Sequence, residues 1–209
     1  MKGLILKDLL NLRKYMKSLL TMVLLFVVMG VAMSVPSMVA GVGIMFCMMV
    51  SLLAFSYDES SKWDAYGLSL PVTRRQSVAA KYLLALALIA VGTALGAGLS
   101  LLTMALTVHI ALDELVGTAV GTAAAGLLTV GLLFPFIYKF GVEKSRFIMI
   151  LLFLVPFGGT YAWIRLVGPI GPMAPGMLRA AAVAAPILLL LLCVASYFIS
   201  QRIYEKKEL

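Results

Sequence analysis

The chain has 209 residues, of which 63% are apolar and only 12% charged, and its mean hydropathy is +1.07. Charged residues stand at about half their usual share in soluble domains, and apolar blocks use up most of the length. This leaves no room for a soluble catalytic domain and indicates an integral membrane protein. The net charge of +8 belongs to a membrane surface and gives no reason to invoke nucleic acid.

Residues 1–17 read as an interfacial helix, with Ile5, Leu9, Leu12 and Met16 on an apolar stripe and Lys7, Asn11 and Lys14 on a polar one. A plain membrane anchor and a helix that contacts a partner both fit this pattern. A basic segment before an apolar run also has the outline of a signal peptide. Its length, its Asp8 and its own helical period argue for retention. Six apolar blocks of about 20 residues come next, the length a span requires. They are predicted near 18–35, 37–57, 77–110, 115–138, 147–166 and 177–200. The first two form a tight hairpin around Pro36. The third is longer than a bilayer needs, so it must tilt or project beyond the headgroups.

The polar stretch 58–76 between the second and third spans has structure of its own. Ser61-x-x-Asp64 can act as a capping pair, and Pro71 ends a helix begun there by about Leu70. Trp63, Tyr66, Gly67 and Leu70 recur at i, i+3, i+4 and i+7, which makes one apolar face on a short amphipathic helix. Thr73-x-x-Gln76 is a second capping box and starts the long helix of the third span. A helix so presented is built to touch something. The plainer reading is an interfacial helix resting on lipid headgroups.

Within the spans, Gly30-x-x-x-Ser34, Gly92-x-x-x-Gly96 and Gly117-x-x-x-Gly121 allow close helix approach, although such spacings are common in Gly- and Ala-rich spans. Pro135, Pro156 and Pro186 are expected to kink or locally open their helices, and Gly158-Gly159 loosens the fifth span. The stretch 167–176, VGPIGPMAPG, is apolar yet cannot continue a regular helix. It reads as a re-entrant turn or half-helices buried in protein, or as a simple exposed loop. Cys47 and Cys193 both fall in predicted spans, where a small buried apolar role fits better than a disulfide or metal site.

Fifteen of the seventeen Lys and Arg residues fall at the N-terminus, in the second-to-third and fourth-to-fifth connections, or in the C-terminal tail. Only Arg165 and Arg179 lie on the other side. The positive-inside rule therefore places both termini in the cytoplasm.

The chemistry that is missing narrows the function. No predicted span carries an ionisable residue near its centre, which disfavours ion-coupled transport. His109, Asp113 and Glu114 cluster at the outer end of the third span, too few to make a metal site. A serine nucleophile would have His109 as its one imidazole base. The stretch 141–145, GVEKS, lacks the glycine framework of a phosphate-binding loop. The chain is therefore expected not to hydrolyse ATP by itself, and the energy for uphill movement would come from another polypeptide.

At residues 57–83, YDESSKWDAYGLSLPVTRRQSVAAKYL, the chain resembles ABC-2 type permeases. Within them it is similar to the small bacterial branch that includes permeases of phenol-soluble modulin exporters. Acidic residues, W-D-x-Y, L-P-V and a basic pair stand in the family's order, and the architecture matches over the whole chain. The resemblance implies an all-α membrane fold with six spans in a bacterial cytoplasmic membrane. It implies that Ser61–Leu70 is a coupling helix docking into a separately encoded ABC ATPase, which would hold ATP and Mg, with no cofactor on this chain. The ATPase-facing residues would be Asp58, Glu59, Lys62, Trp63, Asp64, Tyr66, Leu70, Pro71, Arg74 and Arg75. Pro169, Gly171, Pro172, Pro175 and Gly176 would shape an outer gate or re-entrant segment. Two permease copies, identical or not, would pair with two ATPase copies in the lipid bilayer. The cargo expected is hydrophobic or amphipathic, with peptides as the choice by analogy. Unlike larger members, this chain has no sizeable extracellular domain. Two other readings stay open: a membrane scaffold that recruits a cytosolic partner without transport, and a passive channel, which needs a polar lining these spans do not offer.

Overall fold

The computed structural model describes residues 2–32, 51–67, 73–106, 112–166 and 175–206, together with Gly168. Every regular element among the described residues is a helix. They are α1 (Lys2–Arg13), α2 (Met16–Ala32), α3 (51–60), α4 (Trp63–Gly67), α5 (Arg74–Leu106), α6 (Leu112–Leu166) and α7 (Pro175–Lys206). Among the described residues, three stretches are long and apolar enough to cross a membrane: Arg74–Leu102, Ala119–Leu152 and Ala184–Lys206. Leu20–Gly30 of α2 is a shorter apolar helix. Most of the expected second span, residues 37–50, and most of the outer stretch, 169–174, lie outside the described residues. Pro175 and Gly176 open α7.

Helix α6 packs on α7 and α5, α5 also meets α7, and α1 and α2 lean on α5. Phe134 lies at the centre of this bundle, edge-on to Phe55 of α3 and to Tyr82 of α5, each with ring centroids 4.9 Å away. Leu84, Leu88 and Ile89 of α5 and Val130, Leu133 and Ile137 of α6 complete the core. Small residues set how close the helices come. A Cβ placed on Gly131 would lie 2.9 Å from the Leu192 side chain of α7, so any larger residue there would force Leu192 to move. The α5–α7 contact is also hydrogen-bonded, because the Tyr82 hydroxyl meets Ser196 Oγ at 2.6 Å and Ser200 Oγ at 2.8 Å. Away from water, such bonds between helices satisfy groups that lipid cannot. Of the small-residue pairs, Gly92 and Gly96 are buried, whereas Gly117 and Gly121 face outward.

Two local features add to the expectations. The stretch 139–146, expected to connect separate spans, holds the break between two helical pieces: it is helical except at Gly141, whose φ of 82° and ψ of 175° divide α6 into 112–140 and 142–166. In α1 the expected apolar stripe is split, with Ile5 and Leu12 turned inward and Leu9 outward. Asp8 and Leu12 are buried, Ile5 and Tyr15 are half-buried, and Leu6, Leu9 and Leu10 are exposed. The physical reason is ionic: α1 is turned to bring Asp8 against α5, and Leu6, Leu9 and Leu10 are left to face outward.

Candidate coupling site

The end of α3 sets the direction of α4. Ser61 N–H bonds to Tyr57 O at 3.0 Å and Lys62 N–H to Glu59 O at 3.2 Å, and Lys62 then takes φ 48°. That left-handed residue stops α3 and re-aims the chain into α4. The Ser61 hydroxyl donates back to Tyr57 O at 2.7 Å. It thus closes the C-terminal turn of α3, and the expected role in starting the Trp63 helix falls to the Lys62 turn instead. The described part of this helix is Trp63–Gly67, which starts two residues later than expected; residues 68–72, with Leu70 and Pro71, lie outside the described residues. Downstream, the second capping box forms as expected. Thr73 N–H donates to Gln76 Oε1 and Gln76 N–H to Thr73 Oγ1, both at 3.3 Å.

Beneath α4 lies a knot of four charged side chains from α1, α3 and α5. Lys81 Nζ is 2.8 Å from Asp8 Oδ2, 2.7 Å from Asp58 Oδ2, and donates to Ala54 O at 3.1 Å. Lys7 Nζ reaches Asp58 Oδ1 at 2.5 Å and Asp8 Oδ1 at 3.1 Å. Asp8 and Lys81 keep only 3% and 7% of their side-chain surface exposed. Two ammonium and two carboxylate groups cancel formally, which is what makes burial tolerable; any one left alone would be strongly unfavourable. The same Lys7 ammonium stands 3.9 Å from the centre of the Trp63 ring, a cation–π contact that ties α4 to α1. Trp63 and Tyr66 lie with ring centroids 5.5 Å apart, but Trp63 is half-buried while Tyr66 is 59% exposed.

The expected docking residues therefore divide. Asp58, Lys62 and Trp63 are held by the knot or by the turn above it, and Tyr66 points outward. Glu59 turns the other way, accepting a 2.8 Å hydrogen bond from the Val142 N–H at the break in α6. Arg74 and Arg75 face the end of α7: Arg74 donates to Tyr204 O and Glu205 O at 3.1 and 2.7 Å, and Arg75 pairs with Glu205 at 3.0 Å. Arg74 thereby caps carbonyls at the C-terminal end of α7, whereas the largely exposed Arg75 pair adds little stability. Pro169, Gly171 and Pro172 lie outside the described residues.

Sequence reasoning missed Lys7, Asp8, Lys81 and Gly141 as members of this site. The available signal was a lone acid, Asp8, on the apolar side of an interfacial helix, and a lone base, Lys81, one turn inside an apolar span. Complementary charges in such places ask for each other.

Residues 3–205 match the family described as ABC-2 family transporter protein. No curated protein gives a significant match. The match covers nearly the whole chain, including the three membrane-length helices and the Trp63 segment on its ionic base. The chain belongs to the ABC-2 transporter family, as a membrane component of an ABC transporter.

Proposed function

We propose that this chain is the permease subunit of an ATP-driven exporter of hydrophobic or amphipathic cargo. It has six spans and both termini in the cytoplasm, and it works as one of two permease copies with a separately encoded ATPase. Helix α4 is the docking element. The observation that carries this reading is the placement of Tyr66, exposed beside a Trp63 whose ring is held on Lys7, directly above ion pairs to α1 and α5. A push on α4 has short, stiff contacts through which to reach the spans, whereas a helix merely resting on headgroups needs none. Nucleotide-driven closure of the ATPases would move α4 and rock the spans between inward-open and outward-open or collapsed states. The apolar outer faces of α6 and α7 suit apolar cargo and lipid better than a hydrated pore.

The test is association of the chain with its cognate ATPase. Aromatic residues at interfaces are the usual hot spots, and Trp63→Ala, Tyr66→Ala together should weaken association by about 2 kcal/mol or more, about thirtyfold. Tyr66→Ala alone should weaken docking without altering the fold, because its ring is outward. Normal recruitment and ATP-dependent transport by the double variant would sink the assignment. Recruitment without transport by the unaltered pair would instead favour a scaffold.

A further inference from the structure

The two neighbouring carboxylates at the end of α3 are held in different ways. Asp58 is gripped by two ammonium groups within the buried knot. Glu59 is otherwise exposed and reaches across to one backbone group, the Val142 N–H, at 2.8 Å. That N–H belongs to the first residue after the break in α6, so the carboxylate acts as the cap of the helix 142–166 and carries charge to a helix N-terminus. The break itself is built around this contact. Gly141 adopts φ 82° and ψ 175°, a region open to glycine alone in practice, and a Cβ there would lie 2.8 Å from Glu59 Oε1. On the far side Ser145, fully buried, donates to Gly141 O at 2.7 Å. Next to the break is a cavity of about 80 Å³ lined by Asp58, Glu59, Ser77, Lys81, Gly141 and Val142 among others, which gives this carboxylate and the backbone room to shift.

We infer that Glu59 is a positioning residue that links the ATPase-docking segment to the break in α6. It holds the second half of α6 in the resting arrangement and lets it go when α4 is displaced. Glu59 lies in the turn that ends at Lys62, immediately before Trp63, so α4 cannot tilt without moving this carboxylate. Asp58 stays with the knot, and the single bond of Glu59 is the one that yields. The inference rests on the docking role proposed for α4.

The test uses the full complex with its cognate ATPase and measures amide hydrogen exchange over 139–146, nucleotide-free and trapped with ATP and vanadate. In the unaltered complex, trapping should speed exchange at 142–145 by about fivefold, the equivalent of one lost helix cap. Glu59→Ala should show the fast rate in both states. Glu59→Gln keeps an acceptor oxygen and should restore the slow resting rate, which distinguishes a positional role from general loss of structure. Equal resting exchange in the unaltered and Glu59→Ala complexes would overturn the inference. So would a docked, ATP-hydrolysing complex whose trapping leaves 142–145 unchanged. Failure of the unaltered chain to bind the ATPase would remove the docking role itself, and this inference with it. Loss of binding confined to the Trp63→Ala, Tyr66→Ala variant supports the docking role on which the inference depends.

Discussion

The two halves of α6 are continuous in sequence and opposite in environment. In 112–140, Val130, Leu133, Phe134 and Ile137 are buried against α5 and α7. In 142–166, Phe147, Ile150, Leu151, Leu154, Val155, Tyr161, Trp163, Ile164 and Leu166 all stand more than half exposed. Both halves are apolar, so composition does not separate them. What differs is that the first half carries Gly126 and Gly131 where Ile89 and Leu192 press in, while in the second nothing approaches Gly158 or Gly159 and its ties to the core are at its start, through buried Val142, half-buried Met149 and the Glu59 cap. Apolar content decides that a segment enters a membrane; small residues at contact positions decide whether it also packs on its neighbours.

The largest effect is expected where the packed half closes over the charge knot. Lys81→Ala leaves Asp8 and Asp58 facing each other with Lys7 as their one counter-ion, and should cost about 3–5 kcal/mol. Thermal unfolding of the purified chain checks this, and a loss below about 1 kcal/mol would mean that the knot is solvated. Next comes the direct comparison of the halves. Phe134→Ala should cost about 3 kcal/mol through the cavity it opens, whereas Leu154→Ala should stay within about 0.5 kcal/mol. Equal losses at the two positions would break the contrast. A Leu154→Ala variant of unchanged thermal stability but altered self-association would sharpen it, by showing that a second copy covers the outer half. Smaller than the Phe134 loss is that of Gly141→Ala, at about 2 kcal/mol for the backbone conformation an alanine must adopt. Adding Glu59→Ala should relieve the contact with the new methyl group but not the backbone cost, so the double variant should be only partly restored.

How much of the fold and the site is legible in the sequence depends on how far each interaction reaches. The Thr73–Gln76 box forms as expected because both partners lie within one turn. Ser61 departs from expectation at the same range, since its hydroxyl has two available helices and the preceding one offers carbonyls at hand. The amphipathic α1 is legible as a helix but not in its orientation, which is set by Lys81, far away in the chain. Lys81 itself reads in sequence as one more cytoplasmic loop charge, and its burial depends on carboxylates from two other elements. Gly141 stands out only as part of a stretch lacking a phosphate loop, because the carboxylate that gives it meaning comes from residue 59.

The charge knot also imposes an order on synthesis. Asp8 and Asp58 leave the ribosome before Lys81, with Lys7 as the one ammonium for two carboxylates until α5 is made. Until α5 is inserted, one negative charge of the pair is left over and must stay in reach of water or headgroups, because a buried carboxylate without its own ammonium is strongly unfavourable. Arrival of Lys81 is therefore the event that lets this end of the bundle close. A chain truncated before α5 would keep its acidic residues hydrated, and quality-control proteases would meet it as an open, unfinished end.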